Sequence, residues 1–291
     1  MSTEESLRRY RDAETWPTEE GLAAMLENQL GALTAVRQAL PALAAAVSAA
    51  AARLGDTGRL VYAGAGSSGR LAVQDGVELH PTFGWPHARV AYLVAGGDAA
   101  LVRSVEGAED DAAAGRDEAA ALRLGPADVL IAVAASGATR YTCAVQAAAR
   151  AAGAVTVAMA NNPGAPLLAG AEHPVLLFTG PEFLAGSTRM TAGTAQKIAL
   201  NLFSTRLMTE LGRVYRGLMV NVVASNTKLV ARAHRIVAAL ANADPAAAQQ
   251  AYDAAGGDIP LAVLMLDGHD RAAAQALLEA AGGNLRMARG G

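Results

Sequence analysis

Residues 64–70 read Gly-Ala-Gly-Ser-Ser-Gly-Arg and follow the short apolar run Arg59-Leu-Val-Tyr-Ala63. A glycine-rich turn between a strand and a helix lets backbone N–H groups close around an anion at the helix N-terminus. The spacing matches the dinucleotide fingerprint Gly-x-Gly-x-x-Gly, which also requires an acidic residue about 20 positions downstream to hold a ribose. That region reads Gly84-Trp-Pro-His-Ala-Arg89, without a carboxylate. Ser67 and Ser68 inside the loop suit a small phosphorylated or polyhydroxylated ligand, so the motif reads as a phosphate cradle. Two other segments are rich in hydroxyls: Ala135-Ser-Gly-Ala-Thr139, and Gly186-Ser-Thr-Arg-Met190 at the start of a helix through Gln196, Lys197 and Asn201. Ser and Thr at helix starts are ordinary caps. Capping needs only one side chain per helix, and three such loops on one sheet edge exceed that need. Arg189 would either stand beside an anionic group or form a surface ion pair.

Two carboxylates stand out by their settings. Glu78 lies in Gln74-Asp-Gly-Val-Glu-Leu-His-Pro-Thr82, where apolar neighbours and a proline imply a fixed position. Glu109 lies in Val105-Glu-Gly-Ala-Glu-Asp-Asp111, after the Gly96-Gly97 turn; an acidic run of this kind has the plain reading of a solvated face. Cys143 is the only cysteine, so no intramolecular disulfide is possible, and its surroundings (Tyr141 to Val145) fit a packing residue. His80, His87, His173, His234 and His269 are scattered, with no pair at helical spacing and no zinc-ligand pattern. Neither a metal nor a nicotinamide cofactor is expected.

The elements that must position these groups follow from the apolar pattern. The candidate strands are Leu60–Ala63, Val90–Val94, Val129–Ala134, Val155–Met159 and Pro174–Phe178. They are short, continuous apolar runs, as strands buried on both faces of a parallel sheet should be. Helices between them make a doubly wound α/β domain, whose ligands bind beyond the C-terminal ends of the strands. Before the first strand, residues 18–54 are helical, capped by Thr18, with Pro41 starting a second helix or kinking the first. After the last strand the chain reads as all helical: 188–211, 217–243, then three shorter helices separated by Gly256-Gly257 and Gly282-Gly283. The expected organisation is an N-terminal helical segment (1–54), an α/β ligand-binding domain (55–243) and a small helical bundle (244–291) serving packing or dimer stability.

Composition narrows the class. The 291 residues are 52% apolar and 18% charged, which excludes intrinsic disorder. A net charge of −3 without Lys/Arg clusters offers nothing to nucleic acid or an anionic membrane. The start, Met1-Ser-Thr-Glu-Glu-Ser-Leu-Arg-Arg, lacks the apolar core of a signal peptide, and the Ala-rich run from Leu40 to Leu54 is too short to span a bilayer. A cytoplasmic protein is expected.

Taken in order, several segments resemble the N-acetylmuramic acid 6-phosphate etherases, which carry a sugar isomerase (SIS) domain. They are Gly64–Leu71, Glu78 with Pro81-Thr-Phe-Gly84, Val105–Asp110, Ala134-Ala-Ser-Gly137 and Asn162-Pro-Gly164. The block Gly186-Ser-Thr-Arg-Met-Thr-Ala-Gly-Thr-Ala-Gln-Lys197 is the most specific, and Asn201, Ser204-Thr205, Gly212–Tyr215, Leu218–Val220, Asn226 and Lys228-Leu229 extend the match. The resemblance covers roughly residues 55–290. It implies conversion of N-acetylmuramic acid 6-phosphate and water to N-acetylglucosamine 6-phosphate and D-lactate, in cell-wall amino-sugar recycling, by a homodimer without cofactors. It places the acid–base glutamates on Glu78 and Glu109. The convergence of the three hydroxyl-rich loops at strand ends assigns sugar-phosphate binding to Ser136, Gly137 and Thr139, with Ser67, Ser68, Ser187 and Thr188 contacting the sugar or phosphate. The chain departs from the family pattern at Val77-Glu-Leu-His-Pro-Thr82, at Ala138 with Arg140, and at Thr191 where lysine is frequent. Two other readings stay open here: a non-catalytic sugar-phosphate sensor, which needs no acid–base pair, and an aldose–ketose isomerase, which needs one glutamate as base.

Overall fold

Five short runs, the first four buried or half-buried and apolar and the last partly exposed at the sheet edge, pair side by side into one parallel sheet. They are β1 (Leu60–Gly64), β2 (Val90–Val94), β3 (Val129–Val133), β4 (Val155–Ala160) and β5 (His173–Leu176), in the spatial order β2-β1-β3-β4-β5. β1, β3 and β4 are buried at every position, which is why each is a continuous run of apolar or small residues rather than an alternating one. The register is unbroken, Leu60 pairing Val90 on one side and Val129 on the other.

The computed structural model describes residues 2–291, and contacts divide the chain into two units: residues up to Gly76 with Ala88–Ser204, and Val77–His87 with Thr205–Gly291. The first unit holds the sheet. Its first helix, α1 (Thr18–Leu54), runs without a break through Pro41, so the proline does not start a second helix. Its most apolar 18 residues average a hydropathy of 1.4, enough by length and composition to cross a membrane; 39% of that window is buried in the fold. Its buried stripe, including Ala32, Val36, Ala39, Leu43 and Val47, packs towards β3, β4 and β5. α2 (Gly66–Val77) follows β1; after α3 (Leu79–Phe83), which belongs to the second unit, come α4 (Ala99–Val102), α5 (Ala112–Ala121), α6 (Arg140–Ala151) and α7 (Pro166–Gly170) of the first. Tyr141, Val145 and Ala149 of α6 bury against Val61, Leu130 and Ala158 on one face of the sheet. On the other face, the Tyr62 hydroxyl reaches the carboxylate of Asp75 in α2. Helices therefore cover both faces, as a doubly wound fold requires.

α8 (Thr191–Glu210) contains the division between the units. Beyond it the second unit departs from the all-helical expectation. Val214–Tyr215 (β6) and Leu218–Met219 (β7) pair as an antiparallel hairpin. Its two-residue turn has Arg216 at φ 50° and Gly217 at φ 76°, the type I′ turn whose twist suits a tight hairpin. The next helix, α9 (Thr227–Ala241), consequently starts ten residues later than its apolar pattern predicts. Four helices follow rather than three: α10 (Pro245–Ala254), α11 (Ile259–Leu266), α12 (Arg271–Ala280) and α13 (Leu285–Ala288). Each of α9 to α13 has an Asn or Asp cap (Asn226, Asp244, Asp258, Asp270 and Asn284) accepting from first-turn N–H groups. Val237, Ala262 and Val263 are fully buried in this unit's core.

One ion pair ties the N-terminal ends of β1 and β3. Asp128 accepts from the Arg59 backbone N–H (3.0 Å), from Arg59 Nε (3.1 Å) and Nη2 (2.7 Å), and from the Gly125 N–H (3.0 Å). Burial opposes ionisation of Asp128, but Arg59 and the backbone donors outweigh it and hold the carboxyl below its usual range. A depressed folded-state pKa contributes stability above the unfolded pKa, and that contribution is lost as pH falls through the folded value. We expect Asp128→Ala to cost about 3 kcal/mol at neutral pH. The gap to the unmutated protein should narrow below about pH 4. Urea denaturation across a pH series checks this; a gap that stays constant into the acid range would contradict it.

Candidate active site

In a sheet of order 2-1-3-4-5 the chain leaves β1 towards one edge and β3 towards the other, opening a crevice beyond the C-terminal ends of those two strands. The glycine-rich segment fills one wall. A Cβ on Gly64 would lie 2.9 Å from the Cα and N of Gly69 and 3.0 Å from the Val133 carbonyl oxygen. Only glycines let the first turn of α2 press this closely onto the strand end. Ser67 and Ser68 are thereby delivered at the helix start, where backbone N–H groups lack intrahelical partners.

A cavity of about 240 Å³ occupies the crevice. Ser67 and Ser68 from the β1–α2 turn, Ser136 and Thr139 from the β3–α6 loop, and Thr188 from the loop before α8 all line it, together with the carboxylates of Glu109 and Glu4. Thr139 is the N-cap of α6 yet its side chain makes no capping hydrogen bond, and Ser136 Oγ accepts from the Ala138 N–H at 3.2 Å. The start of α8 is capped from elsewhere: the fully buried Glu182 accepts from the Thr191 and Ala192 N–H groups, both at 2.8 Å. Ordinary capping thus does not account for the hydroxyls of Thr139 and Thr188.

A second cavity of about 340 Å³ shares Ala65, Gly66 and Glu109 with the first and is lined further by Arg70, Ser104 and Val105. Glu109 sits in a single 3-10 turn, Ala108–Asp110, exposed to solvent and on the wall common to both cavities. Together the two spaces reach the size of small-molecule sites.

The remaining sequence-derived residues stand apart from this group. Gly137 is buried beneath its loop, its carbonyl accepting from the Leu167 N–H at 2.9 Å. Ser187 is half-buried and its N–H bonds Leu184 O; it does not line the cavity. Glu78 belongs to the second unit, where it is the exposed N-cap residue of α3 and makes no side-chain capping bond. Arg140 and Arg189 are exposed and line neither cavity. Thr191, fully buried, donates to Asn28 Oδ1 of α1 at 2.6 Å, so it joins two helices. Burial pushes the Cys143 thiol up, away from nucleophile chemistry. Among the described residues, no group of three His, Cys, Asp or Glu is placed to hold a metal ion.

Sequence reasoning passed over three acids. Glu4 reaches the cavity because Thr3 is fully buried. The Thr3 N–H donates to Asn162 Oδ1 (3.0 Å), its carbonyl accepts from the Gly186 N–H (3.0 Å), and its hydroxyl accepts from Asn162 Nδ2 (3.1 Å). Gly186, at φ 76°, leaves room for Glu4: a Cβ there would lie 2.8 Å from Glu4 Oε2. No sequence signal marks that contact, since 182 positions separate the two residues. Glu182 is the second. The third, Asp75, is 4% exposed and accepts from Tyr62 Oη (2.9 Å), Asn201 Nδ2 (2.7 Å) and Ser204 Oγ (2.9 Å). Burial raises its pKa, and these three donors with Lys197 counter the rise.

Residues 42–149 match the glucokinase regulatory protein N-terminal SIS domain. N-acetylmuramic acid 6-phosphate etherase from Deinococcus radiodurans is 54% identical over 88% of this chain and 84% of its own length. The proteins of the same name from Pectobacterium atrosepticum (48%) and Rubrobacter xylanophilus (47%) each align over 80% of this chain and 77% of theirs. Among solved structures, phosphoheptose isomerase GmhA from Neisseria gonorrhoeae aligns over 66% of this chain and all of its own, at 16% identity and a TM-score of 0.49. With identity of this level along most of both chains, the protein belongs to the N-acetylmuramic acid 6-phosphate etherase family.

Proposed function

We propose that the chain cleaves the D-lactyl ether of N-acetylmuramic acid 6-phosphate by elimination and water addition, giving N-acetylglucosamine 6-phosphate and D-lactate. The observation that carries the reading is the switch-point cavity, where five hydroxyls and two helix N-termini meet the carboxylate of Glu109. Hydroxyls and peptide N–H groups suit the phosphate and sugar oxygens. Ser67, Ser68, Ser136, Thr139 and Thr188 hold them directly, with Gly137 and Ser187 shaping the loops that carry two of those groups. Opening the sugar to its aldehyde acidifies the C2 proton. Loss of that proton expels lactate from C3, and water then adds to the alkene, restoring a proton at C2. Each half needs a proton acceptor and a proton donor. The family resemblance, and not the cavity lining, assigns Glu78 to protonating the departing lactate; Glu109, which lines both cavities, is assigned to proton transfer during water addition. No metal or redox cofactor enters these steps, and the reaction serves cell-wall amino-sugar recycling in the cytoplasm.

The active form is proposed to be a homodimer. Leu22, Leu26, Leu30, Leu33 and Leu40 of α1 are each 46–67% exposed. At about 100° per residue they form a second apolar stripe, roughly 120° around the helix from the buried one. A continuous apolar stripe on a soluble protein marks an interaction surface, and a second copy presents the same stripe in self-complementary fashion.

The purified protein should release D-lactate from N-acetylmuramic acid 6-phosphate even after chelation and desalting. Glu78→Gln and Glu109→Gln should each lose about 10²–10⁴-fold of that activity, and Ser136→Ala with Thr139→Ala should chiefly raise KM. Glu109→Gln should still exchange the C2 proton with deuterated solvent or accumulate the unsaturated sugar, while Glu78→Gln leaves the ether intact. Near-normal lactate release from both glutamine variants would remove the assignment. In sedimentation experiments the protein should run as a dimer, and Leu26→Glu with Leu33→Glu as a folded monomer. An unaltered dimer in that variant would dismiss the leucine stripe as the interface.

A further inference from the structure

We infer that Arg70 forms a carboxylate subsite that reads the lactyl group, the feature separating an ether substrate from a plain sugar phosphate. This rests on the proposed reaction, and three observations support it. Arg70 lines the second cavity, whose wall includes the same Glu109 that faces the hydroxyl-lined first cavity. Its orientation is set: Nε donates to the carbonyls of Ala100 (2.9 Å) and Leu101 (3.1 Å) in α4. Both bonds are made by Nε, so neither terminal amino group bonds a described residue, and no described carboxylate lies within 4.0 Å of the guanidinium. The other charged groups on that wall, Glu106 and Glu109, are acceptors only, and would repel an anion that Arg70 did not hold.

An anchored guanidinium on a cavity wall, with both terminal amino groups unbonded to any described residue, suits a planar, two-oxygen anion, which it can grip through parallel N–H bonds. The substrate carries two anions, a phosphate and a carboxylate, on opposite sides of the ether to be broken. The cradle of hydroxyls and helix N-termini takes the first and Arg70 the second. Glu109, on the shared wall, then faces the region between them, where protons move. The product N-acetylglucosamine 6-phosphate lacks the carboxylate and leaves the Arg70 subsite unfilled.

The test compares two ligands in the full-length protein. Arg70→Gln should lower kcat/KM for N-acetylmuramic acid 6-phosphate by roughly 10- to 100-fold, the weight of hydrogen bonds between charged groups. The inhibition constant of N-acetylglucosamine 6-phosphate should change by less than about threefold. Arg70→Lys, which keeps the charge without the fork, should recover part of the loss and serves as the second variant if the glutamine form folds poorly. Equal losses for both ligands would place Arg70 on the shared sugar phosphate and overturn the inference, as would no loss for either. If the unmutated protein releases no lactate, the proposed function fails on its own. Calorimetry with the same two ligands, which needs no turnover, then reads the Arg70 difference by the same criterion.

Discussion

The site depends on a constraint of topology. Parallel strands need crossovers, and in this sheet the crossover after β1 runs to β2 while the one after β3 runs to β4, in opposite directions along the sheet edge. The backbone must part between those two strand ends, whatever side chains it carries. What the sequence adds is how closely the walls approach. Gly64 and Gly69 bring the first turn of α2 into backbone contact with the strand end, so that peptide N–H groups and the hydroxyls of Ser67 and Ser68 reach the crevice.

Two buried carboxylates then set the helices that frame this crevice. Asp75 joins α2 to α8 through Asn201 and Ser204, and to β1 through Tyr62. Burial raises its pKa; burial of the tyrosines themselves, with the Asp75 charge beside them, raises those of Tyr62 and Tyr92, the latter to about 12, so both phenols stay protonated. Glu182 fixes the start of α8 by accepting from two of its N–H groups. Removing a buried acceptor strands its donors without water, so such groups specify geometry at least as much as they add stability. The acids that structure the unit are therefore inside it, and those facing the cavity, Glu4 and Glu109, are exposed.

Much of the α/β architecture was legible because strands buried on both faces tolerate little except apolar and small residues. The five runs from Leu60 to Phe178 announced themselves within a residue or two of their observed bounds. The β6–β7 hairpin was not legible: strands of two residues have no periodicity to detect, and the turn signal is only Arg216-Gly217. Pro41 was misleading for a different reason. A proline removes one N–H donor, but in a helix of 37 residues packed along the sheet the remaining hydrogen bonds and burial carry the helix past it.

By itself the sequence determined the parallel sheet, the glycine-rich turn and the hydroxyl-rich loops, because these follow from local rules of burial, backbone freedom and side-chain chemistry. It also carried the family resemblance, which lies in residue identities in order. Only the tertiary structure decided that Glu4 lines the same cavity as Ser136, that Glu182 rather than a neighbouring hydroxyl caps α8, and that Arg70 shares a cavity with Glu109. Two of these relations join residues 39 and 132 positions apart, and the third joins a loop acid to a helix start nine positions on, across a loop whose course is set by the fold. No local rule encodes them, because the energy that fixes such contacts comes from packing the whole sheet and its helices at once.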